Sequence, residues 1–242
     1  MPGIADIGKF AVDQLIGVLK ARKFREIIFN DYPAGAIIDN SLLSTPKAEI
    51  LFRKDPDGQQ DIFFITADAQ AMSPKGIYEI SDYLACTLEE LGIKLVISLG
   101  AFPVKKTNAI PSVFVTATSE ERVEEFVGGY ECLRVKKGVI IGANGLVPTL
   151  AQAFHNIEGV VLLAETDNAA LMNDDITDLN ASVSLLKLIG RYLNLPILDK
   201  FSPDKIQEMT KNLEIKKKKL EEEIETFQPL AETTEGQKSL YI

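Results

Sequence analysis

The chain holds little of what nucleophilic catalysis, metal binding and membrane insertion draw on. Its 242 residues include two cysteines, one histidine and no tryptophan. Cys86 and Cys132 lie far apart with neither metal-ligand nor redox spacing, so they read as small core residues in a reducing compartment. His155 has no serine or cysteine beside it in sequence, and reads as a satisfied helix histidine rather than the base of a nucleophilic pair. No apolar run approaches the roughly 20 residues that cross a bilayer, and no charged-then-apolar leader opens the sequence. A cytoplasmic protein is expected. Positive charge is scarce too: 26 Lys and Arg against 35 Asp and Glu leave a formal charge of −9. Nucleic acid and anionic membranes are therefore poor general partners, because those associations rest on neutralising phosphates. A basic protein surface fits better. The lack of tryptophan excludes nothing.

What is present is an ordinary globular composition, 46% apolar and 25% charged, long enough to bury an ample core. Apolar spacing predicts a helix over residues 7–21, opened by a segment containing Gly3 and Gly8. A short strand over 26–30 and an irregular run through Asn40 and Ser41 follow. Residues 48–53 and 61–66 flank a proline and glycine turn and predict a β-hairpin. Ser73 and Pro74 start a helix that Gly92 ends. Residues 94–99 form a buried strand, with Gly100 to Pro103 as a loop, then a strand over 112–118 and an acidic helix from Ser119. A strand over 138–141 enters the turn Gly142, Ala143, Asn144, Gly145 and an apolar helix to residue 156. A buried strand over 159–164 and a helix over 178–193 complete the body. Strands alternating with helices predict an α/β fold: a mostly parallel sheet with helices on both faces, plus one antiparallel hairpin.

Three places invite a chemical reading. The glycines at 3 and 8 could cradle a phosphate at a helix N-terminus, or allow a tight turn and close helix packing. The turn from Gly142 to Gly145 is the best anion candidate, yet no lysine or arginine completes it. Glu165, Asp167, Asp174 and Asp175 follow a strand's C-terminal end, where open α/β sheets place ligands such as a cation or a sugar hydroxyl; they could equally cap loops and helices. No metal site, cofactor site or catalytic residue is assigned.

The organisation changes beyond residue 200. The α/β domain spans residues 1–200, a charged helix spans 201–227, and a tail spans 228–242. Ile206, Leu213, Leu220 and Phe227 recur every seven residues, a stripe too narrow for a core but able to pair with another helix. Residues 228–238 carry too few apolar side chains to order themselves. Behind them come Leu240, Tyr241 and Ile242: a small anchor, a phenol and a terminal carboxylate within a few ångströms. A flexible tether ending in such a plug is a docking device for a narrow pocket with a lysine for the carboxylate. The alternative is a remnant of strand or helix packed on the body.

Several stretches together resemble the proteasome assembly chaperones, in their archaeal branch. Pro2, Gly3, Ile4 and Gly8, with the helix after them, are similar to the family's opening Pro-Gly-x-Gly-x-x-Gly segment. The turn from Gly142 to Gly145 with the stretch 157–166, and Ala101 to Lys105 after a buried strand, match its later parts. The resemblance covers roughly residues 1–200. It implies an α/β fold related to nucleoside phosphorylases, without a catalytic site or cofactor. Leu240, Tyr241 and Ile242 resemble the hydrophobic-Tyr-any-residue motif by which proteasome activators dock between α subunits: Tyr241 would fix the pose, the Ile242 carboxylate would meet a pocket lysine and Leu240 would fill the apolar wall. Two features depart from the family pattern. Asp6 stands where a small or apolar residue is expected, and the strand expected ahead of Pro2 is absent. Either the natural start lies upstream or another strand takes that place.

The resulting expectation is a non-enzymatic chaperone or activator whose partners are α subunits of the proteasome core and further copies of itself, a tetramer being one arrangement. The alternative is a phosphorylase-like or hydrolase-like enzyme using the Gly142 turn for phosphate and Glu165 or Asp167 for a ribose.

Overall fold

Local signals fix the helices. The computed structural model describes residues 1–55, 60–167 and 178–195, together with Lys205, Glu208 and Lys211. Helix α1 (Ile7–Leu19) follows a 3₁₀ turn at Ile4–Asp6 and buries Ile7, Ala11, Leu15 and Leu19, an i, i+4 stripe. In the turn, Ala5 and Asp6 both have φ of 48°, the left-handed region that favours glycine. Ala5 stands at the step where the Pro-Gly-x-Gly pattern has its second glycine. Helix α2 (Pro74–Glu90) starts as the sequence predicts, with the Ser73 hydroxyl accepting the Gly76 N–H at 2.9 Å. Helices α3 (Glu120–Tyr130) and α5 (Leu179–Tyr192) are capped in the same way by Ser119 and Asp178. Helix α4 (Ala143–His155) begins at Gly142, whose φ is 95°.

The strands form two larger sheets and a hairpin. β1 (Arg22–Ile27), β4 (Ala48–Arg53) and β5 (Ile62–Ala67) make an antiparallel sheet in the order β1-β4-β5, which contains the expected hairpin. β6 (Leu95–Val104), β9 (Glu158–Asp167), β7 (Val113–Ala117) and β8 (Leu133–Arg134) make the second sheet in that spatial order. Its β6–β9 and β7–β8 pairs are parallel and its β7–β9 pair is antiparallel. The mostly parallel sheet is thus built around β9, with α1 and α5 packed together and α2 packed on α4.

Three details differ from the sequence reading. β6 runs on through Gly100 to Pro103, because its ten residues register one to one with β9, from Leu95 opposite Glu158 to Val104 opposite Asp167. The run through Asn40 and Ser41 is a hairpin of β2 (Ile37–Asp39) and β3 (Leu42–Ser44). Both turn residues have positive φ, as a two-residue hairpin turn of the I′ kind requires. Residues 138–141 join neither sheet, and Val139 and Ile141 are 88% and 85% exposed. Four residues between two glycines are too few for apolar pattern alone to decide.

The chain divides into two compact units, Met1–Asp199 and Lys200–Ile242. In the second, Lys205, Glu208 and Lys211 are helical and exposed. Among the described residues no helix is long and apolar enough to cross a membrane.

Candidate functional site

Leu240, Tyr241 and Ile242, with the tether ahead of them, lie outside the described residues. Asp174 and Asp175 do too. The other positions singled out by sequence are in view, and the structure gives each a neighbourhood.

The two glycine-bearing segments meet. Gln70, just ahead of α2, donates from Nε2 to the Pro2 carbonyl at 2.5 Å, and its Oε1 lies so near Gly142 that a Cβ there would sit 2.6 Å away. A Cβ on Gly3 would lie 3.7 Å from the Asn144 side chain. Gly8 lets α1 approach β6 so closely that a Cβ would overlap the Leu99 carbonyl oxygen, and a Cβ at Gly145 would lie 2.9 Å from the carbonyl oxygen of Ile140. These glycines therefore serve close packing, the alternative the sequence left open. Lys9, the basic side chain nearest in sequence to the opening turn, pairs with Asp13 at 2.6 Å.

Glu165 is 7% exposed on β9 and its Oε2 accepts from Asn108 Nδ2 at 2.9 Å and from the Ser112 N–H at 3.0 Å. A carboxylate buried by a strand thus pins the β6–β7 connection. Next to it, Thr166 donates to Asp178, whose other oxygen caps α5 at Ala181. The carboxylates in view cap and clamp, as the second of the two sequence readings had it. Among the described residues, no group of three or more His, Cys, Asp and Glu side chains could hold a metal ion.

Folding also brings together three residues that sequence spacing kept apart. His155, in the last turn of α4, meets Glu89 Oε2 through Nδ1 over 2.8 Å, and its Nε2 lies 3.7 Å from Cys86 Sγ. The order thiol, imidazole, carboxylate is that of an activated nucleophile. None of the three lines the 680 Å³ cavity inside the body or the 200 Å³ cleft at the start of α2. The contact ties α4 to α2, which satisfies the histidine as expected. Cys132 is buried, which pushes its thiol up to about 11.

The surface carries apolar side chains that sequence reading missed. Ile38, Leu42 and Leu43 of the β2–β3 hairpin are all more than two-thirds exposed. A two-stranded hairpin is marginal by itself, and an apolar one asks for a covering surface. The available signal was the alternation around Asn40 and Ser41, weakened because neither residue is glycine.

Comparison with known proteins places this architecture. Residues 1–228 match the model of the PAC2 family. A protein of Methanocaldococcus jannaschii, MJ1210, described as uncharacterised, is 27% identical over 228 residues, covering 93% of this chain and 83% of that one. The crystal structure of Pyrococcus furiosus PbaB, an archaeal proteasome activator, superposes with a TM-score of 0.76 at 26% identity, over 91% of this chain and 90% of that one. Pyrococcus furiosus PbaA, an archaeal homologue of proteasome-assembly chaperone, superposes with a TM-score of 0.66 at 21% identity, over 93% and 91%.

Proposed function

The chain belongs to the PAC2 family, and from that premise we propose that it is a non-enzymatic assembly chaperone or activator of an archaeal-type proteasome. It docks Leu240, Tyr241 and Ile242 into pockets between α subunits of the core ring. The observation that carries the reading is the terminal hydrophobic-Tyr-any-residue sequence behind a polar tether, on a body similar to an archaeal proteasome activator. The setting is cytoplasmic, no cofactor takes part, and the body presents the tail.

One three-residue plug buries little surface, so useful affinity needs several presented together. A homo-oligomer supplies them and turns later dockings into intramolecular events. The exposed apolar hairpin at Ile38, Leu42 and Leu43 supports self-association. As flexible chain, the 11 residues of 228–238 span about 18 Å on root-mean-square average and up to ~36 Å when stretched. That reach suits neighbouring pockets on a ring.

The test is binding to archaeal core particles by light scattering or electron microscopy. Tyr241→Ala, and separately one residue appended after Ile242, should each weaken binding at least about tenfold, because every copy in the oligomer loses its plug. Undiminished binding by both variants ends the tail reading, and retention of every partner after deletion of residues 228–242 makes the tail incidental.

A further inference from the structure

The two larger sheets face one another across a slot of strand dimensions. β5 is the last strand of one sheet and β6 the first of the other, so each presents an edge that no strand pairs. Residues 62–65 and 95–99 of these edges line the same cavity, of about 680 Å³. Leu15 of α1 and Ile189 of α5 line it too, as do Leu84 and Leu88 of α2 and Val147 of α4. The void has room for on the order of 20 waters at about 30 Å³ each, whereas protein interiors leave few gaps larger than one water. Its apolar lining offers such waters few partners.

Volume alone would suit a small molecule. The walls ask for something else. Two strand edges some 15 Å long, at about 3.3 Å per residue, present rows of backbone donors and acceptors that one small ligand cannot meet along their length. An extended peptide meets both rows at once, by the hydrogen bonding that adds a strand to a sheet.

Met1 identifies the occupant. It lines the slot and is 9% exposed, and burial, with Lys9 adding repulsion, pushes its ammonium down to about 6. A buried charge without a tight partner is costly, whereas an amide in its place is neutral and can donate into a ladder. The start of the chain is held there by its neighbours: Gln70 binds the Pro2 carbonyl, and Gly8 seats α1 against Leu99.

We propose that the slot receives one extended, mainly apolar strand continuous with Met1. It consists of about five residues ahead of Met1 in the functional polypeptide, paired with β5 on one side and β6 on the other, and it joins the two sheets into one.

The test compares amide hydrogen exchange in two proteins, the 242-residue chain and the same chain carrying the residues encoded in frame immediately ahead of Met1. The extension should slow exchange across residues 62–67 and 95–99 by about a hundredfold, as edge amides enter a paired interior. Equal exchange in the two proteins overturns the proposal, and so does a stop codon directly ahead of Met1. If the 242-residue chain already protects both edges, with residues 138–141 protected alongside them, the chain fills the slot from within and the proposal fails. A synthetic peptide of the upstream sequence serves as the last arm. Protection by that peptide in trans, where the covalent extension gives none, assigns the slot to a separate chain and rejects continuity with Met1.

Discussion

β6 and β9 are two ten-residue strands of the same sheet, paired residue for residue, and their burial differs sharply. β9 has β6 on one side and β7 on the other, and eight consecutive residues from Gly159 to Thr166 are buried. β6 has β9 on one side and the slot on the other, and of its ten residues only Leu99 is buried. Both sequences are apolar. The lesson is that a strand's burial depends on neighbours along both edges as much as on its own side chains.

Truncation in the two strands gives the largest expected effect. Leu162→Ala, at a fully buried β9 position, should cost about 2–5 kcal/mol through lost transfer energy and a new cavity. Ile97→Ala, on β6 opposite Val160, should cost less than half as much, because its surroundings already include a cavity. Urea midpoints at unchanged m-value measure both. Equal losses would break the comparison.

Next comes the packing of α1 against β6. Gly8→Ala should cost about 3 kcal/mol, at the upper end for overpacking, because the obstruction is the Leu99 backbone and not a movable side chain. Gly17 in the same helix has nothing within 4 Å of a built Cβ. Gly17→Ala should therefore stabilise by roughly 0.5–1 kcal/mol through helix propensity. Opposite signs in thermal unfolding sharpen the claim that β6 is crowded by the helix above it while its edge stays open.

The smallest expected effect comes from the amine beside the slot. The Met1 ammonium titrates near 8.0 unfolded and about 6 folded. Between those values the unfolded chain holds more protons, so stability rises with pH, and the penalty of burying the charge is fully present below about 6. The change should be roughly 2 kcal/mol or less, since each tenfold loss of proton affinity is worth about 1.4 kcal/mol. Acetylating the amine should flatten that part of the pH–stability profile, and an unchanged slope would show that another group produces it.

The sequence made some of this legible because the causes are local. Ser73, Ser119 and Asp178 cap their helices where the sequence predicts helix starts, since a cap needs only its own next few residues. The hairpin of β4 and β5 and the apolar character of β6 and β9 were equally plain. The end of β6 was not, because pairing with β9 carries it through Gly100 and Pro103. Residues 138–141 looked like a strand and lie exposed, since an apolar run does not say whether an edge awaits it. Glu89, Cys86 and His155 met only through the packing of α2 on α4, and Glu165 found Asn108 across 57 residues of chain.

By itself the sequence determined the caps, the apolar stripes, the acidic balance and the polar tether before Leu240, Tyr241 and Ile242. Only the tertiary structure decided that the Pro2 and Gly142 segments meet at Gln70, and that β5 and β6 face each other across a cavity. The reason is physical: periodicity records which face of an element avoids water, while the neighbour along a strand's edge is bound through backbone groups that every residue but proline carries alike.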